Sequence, residues 1–462
     1  MRSQMVRKSV WLSLSVATLL VAASPSVVAE EASAASMAPG GCCPAVPEPP
    51  LSPPVLRQPY EDPAFGTALR RVVDAGALGR FRAGPEYSQL QVWNADGTWM
   101  LLGGDLIVDA ETFQVVHEVD FGWPAWGGGL RWSPTEPDSM FYTGGGVDGC
   151  SGAVLMRYRL LGSDPITATR ELVRCFPEYA EIERDSSYEE LSHDGRRVAL
   201  AGVKPDDRLE IFAYDLLSDL KHPVLSVPVG RFVDWVAVSP SGQYLLVLWG
   251  GGGPGRYEGM EAFELDGTYL DKVHTGTGHS DLAMDASGDE WLVVTNANNA
   301  YLLSDRHYLV KAKIPQGVLF GDQGNVDQTA TLAAGLTVPL LTIDWEIGIH
   351  ISCRNTAAPG WCAVTGEGGG SPWKPFQDEI FALYLDSTKS QPHVQRLVHH
   401  RSSLSDYWAT PFATIRADGG QIAFGSDWRG QTSIDAHVID LDDAIFRDGF
   451  ESGDTEAWTE AH

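Results

Sequence analysis

Basic residues are scarce in this chain: 33 Lys and Arg stand against 61 Asp and Glu, a net charge of −28. Such an acidic surface repels phosphate backbones and anionic lipid, which disfavours nucleic-acid and membrane-surface binding. Long apolar runs are missing too. Beyond residue 29 no segment reaches the ~18 consecutive apolar residues a spanning helix needs. Common catalytic signatures are absent. No Gly-x-Ser-x-Gly elbow occurs, which argues against Ser hydrolases of that kind. No His-Glu-x-x-His occurs, and the glycine-rich stretch from Gly250 to Gly255 lacks the Gly-Lys-Ser/Thr that cradles phosphate. Asp285 to Glu290 carries carboxylates without the spacing of a calcium loop and reads as a turn. Long helical periods are also missing.

The N-terminus has the form of an export signal. Arg2, Arg7 and Lys8 precede an apolar stretch from Val10 to Ala23, and a cleavage site fits after Ala29. Removing residues 1–29 removes those three positive charges and no negative one, so the net charge moves from −28 to −31. The expected location is periplasmic or secreted. The six cysteines fit such an oxidising compartment. Closeness in sequence predicts two disulfides, Cys150–Cys175 and Cys353–Cys362. Cys42 and Cys43 cannot be assigned by spacing.

Residues 30–59, rich in Ala, Pro and Gly, read as a disordered linker, and residues 442–462 as an acidic tail. Between them lie roughly 380 residues, more than one ordinary core accommodates. A repeat relieves that limit, and one is present. An apolar run, a turn of Asp/Ser-Gly type and a second apolar run recur around Gly97, Gly195, Gly242, Gly288 and Gly419. Turns at Ser133–Asp138 and Arg354–Gly360 fill the two gaps in the series. This is the hairpin pattern, in which Gly supplies the positive φ a tight turn demands. Seven such units predict an all-β fold, a seven-bladed β-propeller of four-stranded antiparallel blades over residues 60–441. Leu209–Asp215 and Glu379–Asp386 read as outer strands.

The recurring unit, Ser-Pro-x-Gly followed by an apolar run and an outer strand, resembles the WD40-like repeat of TolB-type propellers. It covers about Tyr87 to Leu441. The stretch from Leu397 to Trp428 is similar to the closing blade of oligogalacturonate-lyase-type propellers. That family carries a His-Pro-His run entering the final strand. This chain has Thr410-Pro411-Phe412-Ala413 there, so part of the metal-binding set the resemblance implies is missing. A short tail from Ile445 to Trp458 resembles the ends of many exported bacterial proteins.

In a propeller the first strand of each blade lines the axial channel. His279 begins such a strand, nine residues before its turn glycine, and alignment by the turns puts His350 at nearly the same place in the next blade. Strand period two places Asp281 on the face of His279, and Arg354 on the face of His350. The loop leading into the last blade contributes His399, His400, Arg401, Tyr407 and Trp408. Together these residues predict one site at the channel mouth. Its first reading is a binding surface for a protein or saccharide on an exported monomer. Its second is a polysaccharide lyase acting by β-elimination. There His279 or His350 would be the base, Arg401, Arg354 or a His-bound metal would neutralise the uronate carboxylate, and Tyr407 would be the acid. No cofactor is evident in the sequence. A divalent metal on His279, His350 and His399 is the one possible exception.

Overall fold

A computed structural model describes residues 43–120, 129–162, 165–182, 191–253, 255–295, 307–317 and 328–441. The export signal, Cys42 and the C-terminal tail lie outside the described residues.

Seven antiparallel sheets follow one another along the chain, as the hairpin repeat predicts. Blade one contains Trp99–Leu102, Leu106–Asp109 and Val115–Glu118; its inner edge is the single bridge between Trp93 and Met100. Blade two runs from Arg131–Trp132 to Thr167–Phe176, and blade three is built on Arg197–Val203 and Leu209–Asp215. Blade four comprises Val233–Val238, Tyr244–Trp249, Gly259–Glu264 and Tyr269–His274. Blade five comprises Ser280–Met284, Glu290–Thr295, His307–Lys313 and Thr337–Ile343. Blade six comprises Gly348–Ser352, Trp361–Glu367, Glu379–Tyr384 and Val394–His399. Blade seven takes Thr414–Ile415, Gln421–Ser426 and Asp435–Asp440 from the end of the chain, then Ala68–Val73 and Pro59–Glu61 from its beginning.

The turn chemistry is as expected. Gly97, Gly195, Gly242, Gly288 and Gly419 all have φ between 69° and 83°. The apolar runs also have a clear cause. Each sheet is covered on both faces, so its middle strands are buried almost throughout, as in Leu245 to Trp249 and Glu290–Thr295. A separate apolar cluster fills each seam between neighbouring blades; Leu246, Leu248, Leu292 and Val294 form part of the one between blades four and five. Both predicted disulfides are present, and Cys353–Cys362 clamps the first hairpin of blade six.

Two expectations need correction. Leu209–Asp215 and Glu379–Tyr384 are third strands, because further strands pair outside them. The Pro/Ala-rich stretch is not a structureless linker from Cys43 onward. It lies along the closing blades as a strap. Arg396 Nη1 donates to Pro44 O (2.7 Å), Trp428 Nε1 donates to Leu51 O (2.8 Å), and Arg429 pairs with Glu48 (2.9 Å). Composition hides this because the strap's own backbone groups are satisfied by distant side chains, not by a local period.

Candidate functional site

The two channel histidines meet. His279 stands just before the inner strand of blade five, and His350 lies within that of blade six. Their rings stack with centroids 4.1 Å apart and planes 23° off parallel. His279 Nδ1 lies 2.6 Å from the carbonyl of Ile349, so it carries the proton and donates. His350 Nδ1 lies 2.6 Å from Glu367 Oε1 and donates likewise. In the neutral ring, each bond leaves Nε2 as the accepting nitrogen. Gly278 is required beside His279, since a Cβ there would collide with Thr295 Oγ1.

Desolvation by the surrounding protein, and then the neighbouring His350, push the His279 imidazole down to about 4, although part of the residue stays exposed. Its neutral form therefore persists well below the pH at which an ordinary histidine charges. A ligand that depends on the His279 acceptor is expected to bind equally from pH 8 to pH 5. Binding should weaken only as the pH approaches 4. A proton NMR titration of the His279 ring, run beside calorimetry, checks this; a midpoint near 6.5 would contradict it.

Aromatic side chains extend the pair outward. Phe412 packs edge-on against His350 at 4.9 Å, and Tyr87 does so at 5.6 Å. Tyr407 touches Phe412 and Trp408, with centroids 5.2 and 5.0 Å away. Asp406 caps the short turn that carries them by accepting from Trp408 N and Ala409 N. Tyr407 is 56% exposed and Trp408 38% exposed, unusually open for such rings. The Arg82 guanidinium lies 3.8 Å over the Trp408 ring and is paired with Glu86. Tyr87, Phe412, Glu367, Arg82 and Glu86 were not singled out from the sequence. A hairpin count reaches one of them: Gly348 pairs with Glu367 and His350 with Thr365, so Glu367 is diagonal to His350.

Asp281 and Arg354 form a buried strut at the channel waist, not an open binding edge at the mouth. Arg354 Nε donates to Asp281 Oδ2 (3.1 Å), Nη2 donates to Oδ1, and Cys353 N donates to Oδ2 (2.6 Å). Burial raises the Asp281 pKa despite Arg354. Gln91 reaches across from blade one, donating through Nε2 to Arg354 O and to Ile415 O, each at 3.2 Å. The contacts join blades five, six, seven and one across the axis.

The expected contributions of His399, His400 and Arg401 are overturned. All three are almost fully buried. His399 ends the outermost strand of blade six, far from the axis, with Nε2 donating to Val46 O of the strap (2.9 Å) and Phe65 stacked on its ring. His400 accepts Ser402 N at Nδ1 and donates from Nε2 to Gly366 O. Arg401 Nη1 donates to Asp62 Oδ2 and to His399 O, both at 2.8 Å. Arg401 therefore cannot reach a substrate at the mouth.

A metal does not fit the expected trio. His399 is elsewhere, and the in-plane lone pairs of stacked imidazoles run side by side instead of converging on one ion. Phe412 occupies space against His350 where the resemblance implies a ligand. Among the described residues no three His, Cys, Asp or Glu side chains gather in a metal-binding arrangement.

No protein-family profile matches the sequence, and no curated protein matches it. Solved structures do match in shape. One is an oligogalacturonate lyase in complex with manganese: 16% identity, 84% of this chain and 97% of that one, TM-score 0.57. Another is the oligogalacturonate lyase of Vibrio parahaemolyticus: 11% identity, 84% and 96% covered, TM-score 0.54. The fold is shared with oligogalacturonate lyases. TolB from Acinetobacter baumannii is similar at 12% identity over 66% of this chain and 62% of that one, TM-score 0.33.

Proposed function

We propose that this is an exported, monomeric propeller that binds a neutral saccharide at its channel mouth. The observation that carries the reading is the exposed Tyr407–Trp408 pair, joined through Phe412 to two histidines with accepting nitrogens. Sugar rings lay their apolar C–H faces on aromatic rings, while hydroxyls donate to acceptors such as Nε2 and Glu367. Charge argues for a neutral ligand. Arg354 and Arg401 are buried against carboxylates, and Arg82 is already paired with Glu86. The N-terminal signal pattern and the two disulfides support export.

Trp408→Ala is expected to weaken binding of the best neutral oligosaccharide on a glycan array by roughly tenfold, the ~1.4 kcal/mol one aromatic contact supplies. Tyr407→Ala should act in the same direction. Calorimetry reads both, and unchanged affinity in the two variants would refute the mouth as the binding site.

One observation favours lyase chemistry as a second reading. His350, oriented by Glu367, has the form of a general base. With the shared fold, that would set His350 to take the proton beside a uronate carboxylate and Tyr407 to protonate the leaving oxygen. Among the described residues Arg82, Arg354 and Arg401 are each already paired with a carboxylate, so none of the three is offered to offset the uronate charge. Incubation with pectate, alginate, ulvan and glycosaminoglycans is therefore expected to give no absorbance from an unsaturated product; its appearance would establish the lyase.

A further inference from the structure

Val233–Val238 is the innermost strand of blade four, first in its sheet, so its other edge faces the channel. Every residue of this strand is buried except Asp234, which is exposed. A bulge explains the exception. The register with Tyr244–Trp249 slips between Val233 and Trp235, which leaves Asp234 as the extra, unpaired residue. Bulges of this kind re-aim side chains beside functional sites. Asp234 stands eight residues before its turn glycine, Gly242, and His279 stands nine before Gly288. The two therefore lie at nearly the same depth on adjacent blades. Asp234 is exposed yet recessed. Desolvation by the surrounding protein raises its pKa and is the only influence on it, so among the described residues no cation and no hydrogen-bond donor meets the carboxylate.

From this placement we infer that Asp234 is the far anchor of the mouth, accepting two adjacent hydroxyls of a sugar ring, and that the ligand is an oligosaccharide of at least two residues. The inference rests on the mouth being a saccharide site. An ionised carboxylate offers two acceptor oxygens and no donor, and hydrogen bonds to it are the stronger, charge-assisted kind. Neighbouring hydroxyls of a neutral sugar supply the matching pair of donors. The Tyr407–Trp408 platform sits on the loop leading into blade seven, three blades round the ring from Asp234. His279 of blade five and His350 of blade six lie between them. The four positions mark one arc of the mouth, from blade four to blade seven. A ring stacked on Trp408 leaves Asp234 to another residue of the same saccharide chain.

The test uses the whole folded chain with cellotetraose, maltotetraose, xylotetraose and mannotetraose as probes, each beside the methyl glycoside of its own sugar, read by calorimetry. The tetrasaccharide that binds best is expected to bind at least about tenfold more tightly than its methyl glycoside. Asp234→Asn should weaken that tetrasaccharide by at least about tenfold, because it removes the charge and one acceptor while keeping the size. Asp234→Ser should do the same and serves if the first variant does not fold. Asp234→Glu, which restores the carboxylate, should recover part of the loss. Chelation with EDTA should change nothing. No binding of any probe by the parent would defeat the saccharide reading, and the anchor with it. Binding that falls in Trp408→Ala but not in Asp234→Asn would leave that reading standing and overturn the anchor. Equal binding of tetrasaccharide and glycoside would overturn the span. Binding lost in EDTA would put a metal between Asp234 and the sugar and overturn the direct contact.

Discussion

Asp62→Ala is expected to cost about 3–5 kcal/mol of folding stability, the usual penalty for stranding one partner of a buried ion pair. Asp62 is fully buried and is the carboxylate that Arg401 meets. It also accepts His399 N at Oδ2 and Ala64 N at Oδ1. Arg401 is 1% exposed, and among the described residues its Nε and Nη2 have no hydrogen-bond partner. Without Asp62 the guanidinium keeps one carbonyl bond and no counter-charge. Urea unfolding of parent and variant measures the loss; a difference under about 1 kcal/mol would show that the pair is not what holds strap, blade six and blade seven together.

The same residue sets an acid limit. Burial alone would raise the Asp62 pKa, but hydrogen bonds from His399 and Arg401, with the charge of Arg401, hold it at about 2 against an ordinary 3.8. The folded state keeps the carboxylate ionised at a pH where the unfolded chain takes up a proton. Its stabilisation is complete above pH 4, shrinks as pH falls toward 2, and is gone below that. Asp62→Ala should lose this portion of the pH dependence between pH 4 and 2.

Asp281→Ala is the second large effect, again about 3–5 kcal/mol, since Arg354 would lie buried without its partner. The double replacement Asp281→Leu with Arg354→Met should cost less than Asp281→Ala alone, because it removes both charges and keeps the volume. Asp281 also holds Cys353 N of the strand that carries His350. The single variant should therefore loosen the imidazole stack and weaken saccharide binding as well. Chemical denaturation of the three variants decides the first point. A double variant as unstable as Asp281→Ala would mean that packing, not charge, governs the waist.

The blades could be read from the sequence because their cause is local. A turn glycine with positive φ between two apolar runs needs no knowledge of distant residues. The His279–His350 pair was legible for the same reason, since position relative to the turn sets depth in the channel. Arg401 and His399 were misread because their partners come from the other end of the chain. Asp62 and Val46 lie more than 330 residues away from them. Nothing in the run Val398-His399-His400-Arg401 announces that a strap will cover it.

Blade seven, in which Ala68–Val73 pairs with Asp435–Asp440, makes the ring a belt whose buckle uses both ends. A nascent chain that stops before Asp435 leaves two raw sheet margins, each able to recruit a neighbour. Productive folding must therefore wait until nearly the whole polypeptide has been delivered. Clipping residues 43–73 from the finished protein should open the belt at both seams of blade seven, since Leu69 packs in the one toward blade six and Val72 and Val73 in the one toward blade one.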